Sequence, residues 1–379
     1  MKRIIRFVSD PPLGDNTLCM PSSRRTAVIG AFKGMGDLLA GMPVVLEELC
    51  LGSDVHLLLW PSAALLEFAR QIDYCGCEDR IHFHTLPRGS LSSWAAFLRQ
   101  MRALRASMVW ISPHAPRRDS SWKISLLMRL MRILFWHRAE LVGADSERMA
   151  ALFDLRLPVD RNLPLRKREW SAYCLYREWG QERTAPTVRF LPSIHAPAAR
   201  EPLYDLLIHP GATAANRRWP FAKYAELIPM LPTEWRIACV ALPDDLDEMK
   251  RLLPPERPVS YLCGSIGDSI AALASTRLLL AMDSGNMHFA ALLGVPTVVV
   301  FGYTNPSNII EQGSCVEAVY EPSLPCQPCM KATCSQPEIY CLLRVEARTV
   351  ADRLLRRWRM LKQENDANRK KLAEVQEKA

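Results

Sequence analysis

A chain of 379 residues, 49% hydrophobic and 23% charged, is long enough for two domains with separate cores and has a globular rather than a disordered balance. Its formal net charge of +8 points to an anionic partner of open identity: nucleic acid, nucleotide sugar, phosphorylated glycolipid or anionic membrane. No apolar run approaches the roughly 20 residues of a spanning helix, and the amino-terminal stretch has too short an apolar core for a signal peptide, so a cytoplasmic location is expected.

Residues 1–25 are polar and Pro-rich and read as an extension before the first strand, Thr26–Phe32. Lys33-Gly34-Met35-Gly36-Asp37 follows, then an apolar helix to about Cys50. Gly34 and Gly36 permit a tight turn and close approach of a ligand to the backbone. Asp37 stands where a helix N-cap would, and is either that cap or a carboxylate at the carboxyl edge of the first strand. Alternation then continues: strands at 54–60, 80–85 and 107–112, helices at 62–72 and 91–104. This alternation predicts a parallel sheet covered by helices. Residues 117–138 carry six basic residues and one acid, with Arg118, Ser125, Arg129 and Arg132 on one helical stripe in an otherwise apolar segment. They read as a domain helix with a basic outer stripe, or as a contact for a membrane surface or an acidic acceptor. A strand and turn are expected over 139–143, a helix over 169–179, and a linker over 184–200.

A second α/β half starts at Pro202, with strands at 203–208, 235–241, 259–262, 278–282 and 297–301 and helices at 221–231, 244–253, 269–274 and 287–293. Two loops leave carboxyl ends of its strands. One runs His209–Pro220 and holds Gly211, Thr213, Arg217 and Arg218. The other is Asp283-Ser284-Gly285, opening a helix stopped by Gly294 with Pro296 beyond. Ligands of open α/β sheets sit at such ends, and free N–H groups at a helix start favour an anion. Either arginine would hold a pyrophosphate by forked hydrogen bonds, unless the two are a plain surface pair.

The order of these motifs resembles glycosyltransferase family 9, the heptosyltransferases. Lys33–Asp37 is similar to the family's K-x-x-G-D turn, and His209–Ala212 with Arg217–Pro220 to its H-P-G-A…K-R-W-P loop. Met282–His288 with Gly294–Pro296 is similar to D-S-G-x-x-H…G-V-P, and Phe301–Pro306 to F-G-x-T-D-P. The resemblance implies a GT-B fold of two Rossmann-like domains facing a central cleft, with domains 1–195 on the acceptor side and 196–345 on the donor side. It implies inverting transfer of a sugar, heptose from ADP-heptose, to a lipopolysaccharide-type or other glycan, glycolipid or protein acceptor. Asp37 then matches the general base. Gly36, His209, Thr213, Arg217, Asp283, Ser284, Gly285, His288 and Thr304 match donor-site positions. Arg217 stands for a lysine of the family and Asn305 for an aspartate, and Pro243-Asp244-Asp245 lacks the usual glycine-rich lead-in. Nucleic acid is not expected as a partner. No cofactor is required for catalysis, because an arginine with a helix N-terminus can neutralise a leaving diphosphate.

Twelve cysteines are many for a cytosolic chain. Eight are scattered and read as small buried hydrophobes. Cys326, Cys329, Cys334 and Cys341 cluster in a Pro-rich loop and read as a structural zinc or iron site, or as free thiols or a disulfide pair. The resemblance adds that similar clusters occur in some family members. Residues 346–379 are expected as a helix over 346–362 and a basic tail, with nine basic residues against four acids from 353 onward. The tail is a solvated, frayed end or a peripheral contact with the inner membrane face. Two other classes compete with transfer: a GT-B nucleotide-sugar epimerase or hydrolase, which would need a further base in the cleft, and a non-catalytic nucleotide-binding assembly protein.

Overall fold

The computed structural model describes residues 25–111, 129–130, 133, 139–144, 153–157, 163–177, 193–194 and 202–377 apart from 213, 241–242, 254–255, 311–313 and 332. The chain divides into two compact units, Met1–His195 and Ala196–Ala379.

In the first unit, β1 (Thr26–Phe32), α1 (Met35–Cys50), β2 (Asp54–Leu59), α2 (Ala63–Gln71), β3 (Ile72–Asp73), β4 (Ile81–Thr85), α3 (Leu91–Ala103), β5 (Met108–Ile111), β6 (Glu140–Ala144), β7 (Leu155–Leu157) and α4 (Leu165–Tyr176) follow in order. Six strands form one sheet in the order β4-β2-β1-β5-β6-β7, every neighbour parallel. β8 (Ser193–Ile194) pairs antiparallel with β3. β1 is the central strand: Val28 lies in register with His56 of β2 and with Val109 of β5. Its apolar run is continuous because both faces are covered. Val28, Leu58, Val109 and Ile111 meet Phe97 and Met101 of α3 in one core cluster.

α1 is buried along most of its length, and its Glu47 and Glu48 are covered with it. Glu48 accepts from Tyr173 of α4 at 2.5 Å and from Ser53 at 2.7 Å. Glu169 of α4 accepts from the Trp110 indole of β5 at 2.7 Å. These contacts satisfy carboxylates that would otherwise be costly to bury. The N-cap of α1 is Gly34, and Asp37 is the third helical residue, whose carboxylate accepts from the Gly34 N–H at 3.2 Å. This corrects the expected placing of Asp37 at the cap itself. The basic segment 117–138 lies almost wholly outside the described residues, as does most of the expected linker.

The second unit repeats the pattern: β9 (Leu206–His209), α5 (Phe221–Leu227), β10 (Ile237–Val240), α6 (Pro243–Leu252), β11 (Val259–Leu262), α7 (Ile266–Ala274), β12 (Leu279–Met282), α8 (Gly285–Leu293), β13 (Thr297–Val300) and β14 (Val316–Val319). Its sheet order is β11-β10-β9-β12-β13-β14, again with every neighbour parallel. Each sheet therefore reverses its strand order once, between β1 and β5 in the first and between β9 and β12 in the second. α8 ends at Gly294, whose φ of 69° is left-handed and suits glycine.

α9 (Tyr340–Leu343) and α10 (Ala347–Glu377) close the chain. Val350, Ala351 and Leu354 of α10 join Trp219, Tyr224, Leu280 and Val298 in the core of this unit. β3, β7, β8, β14 and α9 were not anticipated from the sequence, and α10 continues to Glu377 rather than ending near Lys362. Among the described residues no helix is long and apolar enough to cross a membrane.

Candidate functional site

The loops that leave β9, β12 and β13 meet at the strand-order reversal of the second sheet, where ligands of doubly wound sheets bind. β9 ends on His209, β12 leads into Asp283 and Ser284, and β13 leads into Gly302–Asn305. Short buried strands place these residues at one edge because adjacent registers align their ends: Ala281 pairs with His209 and Met282 with Val300.

Asp283 is buried at 4% exposure and accepts from the Thr304 hydroxyl at 2.5 Å. Arg217 donates to the Asp283 carbonyl at 3.1 Å and stands 3.8 Å from its carboxylate. Its Nε is buried, while the side chain as a whole stays 27% exposed at the edge of the site. Arg218 has a different task. Its Nε donates to the Ala212 carbonyl at 2.7 Å and its Nη1 to both Asp245 carboxylate oxygens at 3.2 and 3.3 Å, which ties the loop after β9 to α6. The two adjacent arginines thus divide into one that stiffens the loop and one at the edge of the site.

Ser284 is the N-cap of α8, yet its side chain makes no capping bond. The first N–H groups of α8 are therefore not capped by it, as at helix starts that receive anions. The Ser284 hydroxyl lies 3.4 Å from His209 Nδ1. Burial pushes the His209 imidazole down to about 4, so it is neutral at pH 7. Gly285 and His288 lie in the first turn and a half of α8. Thr213 lies outside the described residues. Asn305 accepts from the Ser307 N–H at 3.1 Å and from its hydroxyl at 2.8 Å, capping the short turn 306–308.

Gly302 is required by packing. A Cβ there would stand 2.3 Å from the Asn216 carbonyl oxygen, so the loop after β9 and the loop after β13 touch backbone to backbone. Asn216 was not singled out from the sequence. Its side chain donates to the Lys331 carbonyl at 2.9 Å, outside any local motif.

In the first unit, Gly36 and Asp37 open α1. Asp37 is partly buried, with Lys33 beside it. Lys33 lies 5.3 Å over the Trp60 ring, and its amine is pushed down by burial and partly restored by Asp37.

Cys326, Cys329, Cys334 and Cys341 line one cavity of about 300 Å³, with Asn216, Tyr303 and Gln327 among its other walls. The Cys341 thiol is pushed up to about 11, by burial first and then by Cys334, Cys329 and Cys326. The four sulfurs therefore share one neighbourhood. They are not closed on a point: among the described residues no three His, Cys, Asp or Glu side chains form a ready metal-binding group.

Residues 178–340 match the family model "Glycosyltransferase family 9 (heptosyltransferase)", a little under half of the chain. The chain is 32% identical over 138 residues to lipopolysaccharide heptosyltransferase 1 of Pseudomonas aeruginosa, covering 35% of this chain and 38% of that relative. Among solved structures it is similar to the E. coli heptosyltransferase WaaC with ADP, at 15% identity and a TM-score of 0.62 over 88% of this chain and 99% of that one. It is also similar to the iron-containing dodecameric glycosyltransferase TibC of enterotoxigenic E. coli H10407, at 14% identity and a TM-score of 0.53 over 90% and 77%. The two parallel-sheet α/β units are those of the GT-B heptosyltransferase fold. Residues 178–340 thus match the glycosyltransferase family 9 model, the chain spans 38% of the length of the curated relative it matches, and both units share the fold of heptosyltransferases of known structure.

Proposed function

We propose that the protein is an inverting glycosyltransferase that moves a sugar, heptose from ADP-heptose, onto a glycan, glycolipid or protein acceptor. The observation that carries the reading is the group at the strand reversal of the second unit: the partly exposed Arg217 guanidinium beside Asp283, the uncapped start of α8, and the buried Asp283–Thr304 pair. Such a group suits a diphosphate. The guanidinium and the helix N–H groups carry positive charge, and the loops come close enough for backbone contact. The structure of WaaC with ADP, on the same fold, supports a nucleoside diphosphate there.

Transfer then divides between the units. Asp37 takes the proton of the acceptor hydroxyl, and that oxygen attacks the anomeric carbon from the side opposite the diphosphate. The bond from the anomeric carbon to the diphosphate oxygen breaks. The negative charge left on the diphosphate is met by Arg217 and the first N–H groups of α8. Asp283 is already engaged by Thr304 and lies against Arg217, so its part is to hold the donor loops rather than to act as base.

We also assign a structural metal, zinc or iron, to Cys326, Cys329, Cys334 and Cys341. The four sulfurs line one cavity without closing on a point; as soft donors they suit either ion in chemistry, and an iron-containing protein of similar fold supports the reading. When bound, the ion would cross-link the loop, and four sulfurs leave it no open position for catalysis. The proposed setting is the cytoplasmic side of a membrane that carries the acceptor, with the basic segments as its contact.

The test is a titration and a turnover assay on purified full-length protein. ADP should bind wild type, and Arg217→Ala should raise its Kd by about tenfold or more, as expected for loss of a charged hydrogen-bonding group. Asp37→Asn should keep ADP affinity within about twofold and lose about 10²-fold or more in kcat with ADP-heptose and acceptor. Equal turnover by Asp37→Asn would sink its role as base, and failure of wild type to bind ADP would sink the donor reading.

A further inference from the structure

The Cys-rich loop touches the donor loops at several points. Gln327 Nε2 donates to the Gly302 carbonyl at 2.6 Å. The Met330 N–H donates to the Tyr303 carbonyl at 3.0 Å, and the Asn305 N–H points to the Met330 sulfur at 3.3 Å. Asn216, in the loop after β9, donates to the Lys331 carbonyl at 2.9 Å. Three of the four residues 302–305 are thus held from one short segment. The fourth, Thr304, is the one that holds Asp283.

All of these anchors lie between Cys326 and Cys334, in a stretch whose described residues form neither helix nor strand. Such a stretch has no backbone ladder of its own to set its shape. Its shape comes from the contacts just named and from whatever fixes its cysteines. Met330 has a φ of 54°, left-handed for a side chain that disfavours it. A residue keeps such a conformation only where its surroundings impose it. Here both its N–H and its sulfur are engaged with the donor loop. The far end of the Gln327 amide, Oε1, is buried without a partner, so its bond to Gly302 sets the orientation of that side chain.

We propose that the segment Cys326–Cys334 is a brace for the donor site, with Gln327 and Met330 as positioning residues, so that donor affinity and the state of the cysteine cluster are thermodynamically coupled. The proposal rests on the reading of the second unit as a nucleoside-diphosphate site. The coupling is reciprocal. If an ordered cysteine loop tightens donor binding, bound donor must order the cysteine loop by the same factor.

The experiment uses the full chain, ADP as ligand and a thiol reagent as probe. Gln327→Glu keeps the side chain's size but removes the donor that holds the Gly302 carbonyl. It should raise the Kd for ADP by about tenfold. In wild type, saturating ADP should slow labelling of Cys326 and Cys334, read by peptide mass spectrometry, by a similar factor. The exposed Cys75 of the first unit should label at an unchanged rate. Gln327→Glu should lose the ADP protection while melting within a few degrees of wild type. A purely structural role would lower melting without uncoupling the two readouts. Gln327→Ala serves in the same two measurements if the glutamate variant does not fold. Wild type that fails to bind ADP overturns the donor reading. Wild type that binds ADP with no thiol protection, or variants that bind ADP within about twofold of wild type, overturn the brace.

Discussion

At the scale of single residues, the second unit shows how neighbours of like chemistry take different work. Arg217 and Arg218 are adjacent and equally charged, yet Arg218 is spent on Asp245 and the Ala212 carbonyl while Arg217 lies against Asp283 at the edge of the site. Asp37 carries two roles at once, since the carboxylate proposed as base also completes the first turn of α1 through Gly34. Asn in its place keeps an acceptor for that N–H, so Asp37→Asn separates the chemistry from the cap.

His209 gives a pH prediction. Its folded pKa, about 4, lies below the ordinary 6.5 because burial disfavours the charged ring. Between pH 6.5 and 4 the unfolded chain therefore binds a proton that the folded chain refuses, and stability falls as pH drops through that window. His56 is displaced in the same direction to about 4, by burial and then by His82 and His84. In urea unfolding at pH 7, 6 and 5, stability should be full at pH 7 and decline toward pH 5. His209→Asn should flatten the decline by on the order of 1–2 kcal/mol, after allowance for partial exposure. An unchanged slope in the variant would mean that His209 is not held neutral.

Elements set the approach of the donor loops. β13 is buried and in register with β12, so the chain beyond Val300 emerges beside Asp283. The close approach of Gly302 to the Asn216 carbonyl then joins two loops that are 86 residues apart. Gly302→Ala must push that backbone aside, at about 1–3 kcal/mol for an overpacked site. The variant should melt several degrees lower and bind ADP more weakly, since both donor loops move. A Tm unchanged from wild type would show that the contact yields freely. α10 belongs to this scale too: its first turns bury Val350, Ala351 and Leu354, and Arg353 holds Glu317 of β14 at 2.9 Å. The tail is thus the continuation of a helix that begins in the core.

For the whole molecule, the division at His195 and Ala196 separates the proposed chemistry by unit. His209, Arg217, Asp283, Ser284, Gly285, His288 and Thr304 all belong to the second, and Asp37 and Gly36 to the first. The second unit has its own six-stranded sheet and core, so residues 196–379 expressed alone should bind ADP within about threefold of the full chain, by calorimetry, and transfer no sugar. Loss of ADP binding by this fragment would show that the first unit supplies part of the donor site, for which Gly36 is the candidate.

Much of this was legible in the order of residues. Apolar runs of four to seven residues such as Thr26–Phe32 and Leu279–Met282, too short for buried helices and alternating with helical patterns, point to parallel strands covered on both faces. Gly294 and Pro296 mark the end of α8 by backbone chemistry alone. β14 was missed because its mixed sequence, VEAV, becomes a strand only through pairing with β13. The place of Asp37 within α1, the split between Arg217 and Arg218, and the anchoring of Gly302 and Tyr303 by Gln327 and Met330 were decided by tertiary contact. Such contacts join residues far apart in the chain, where no local period or propensity records the partner.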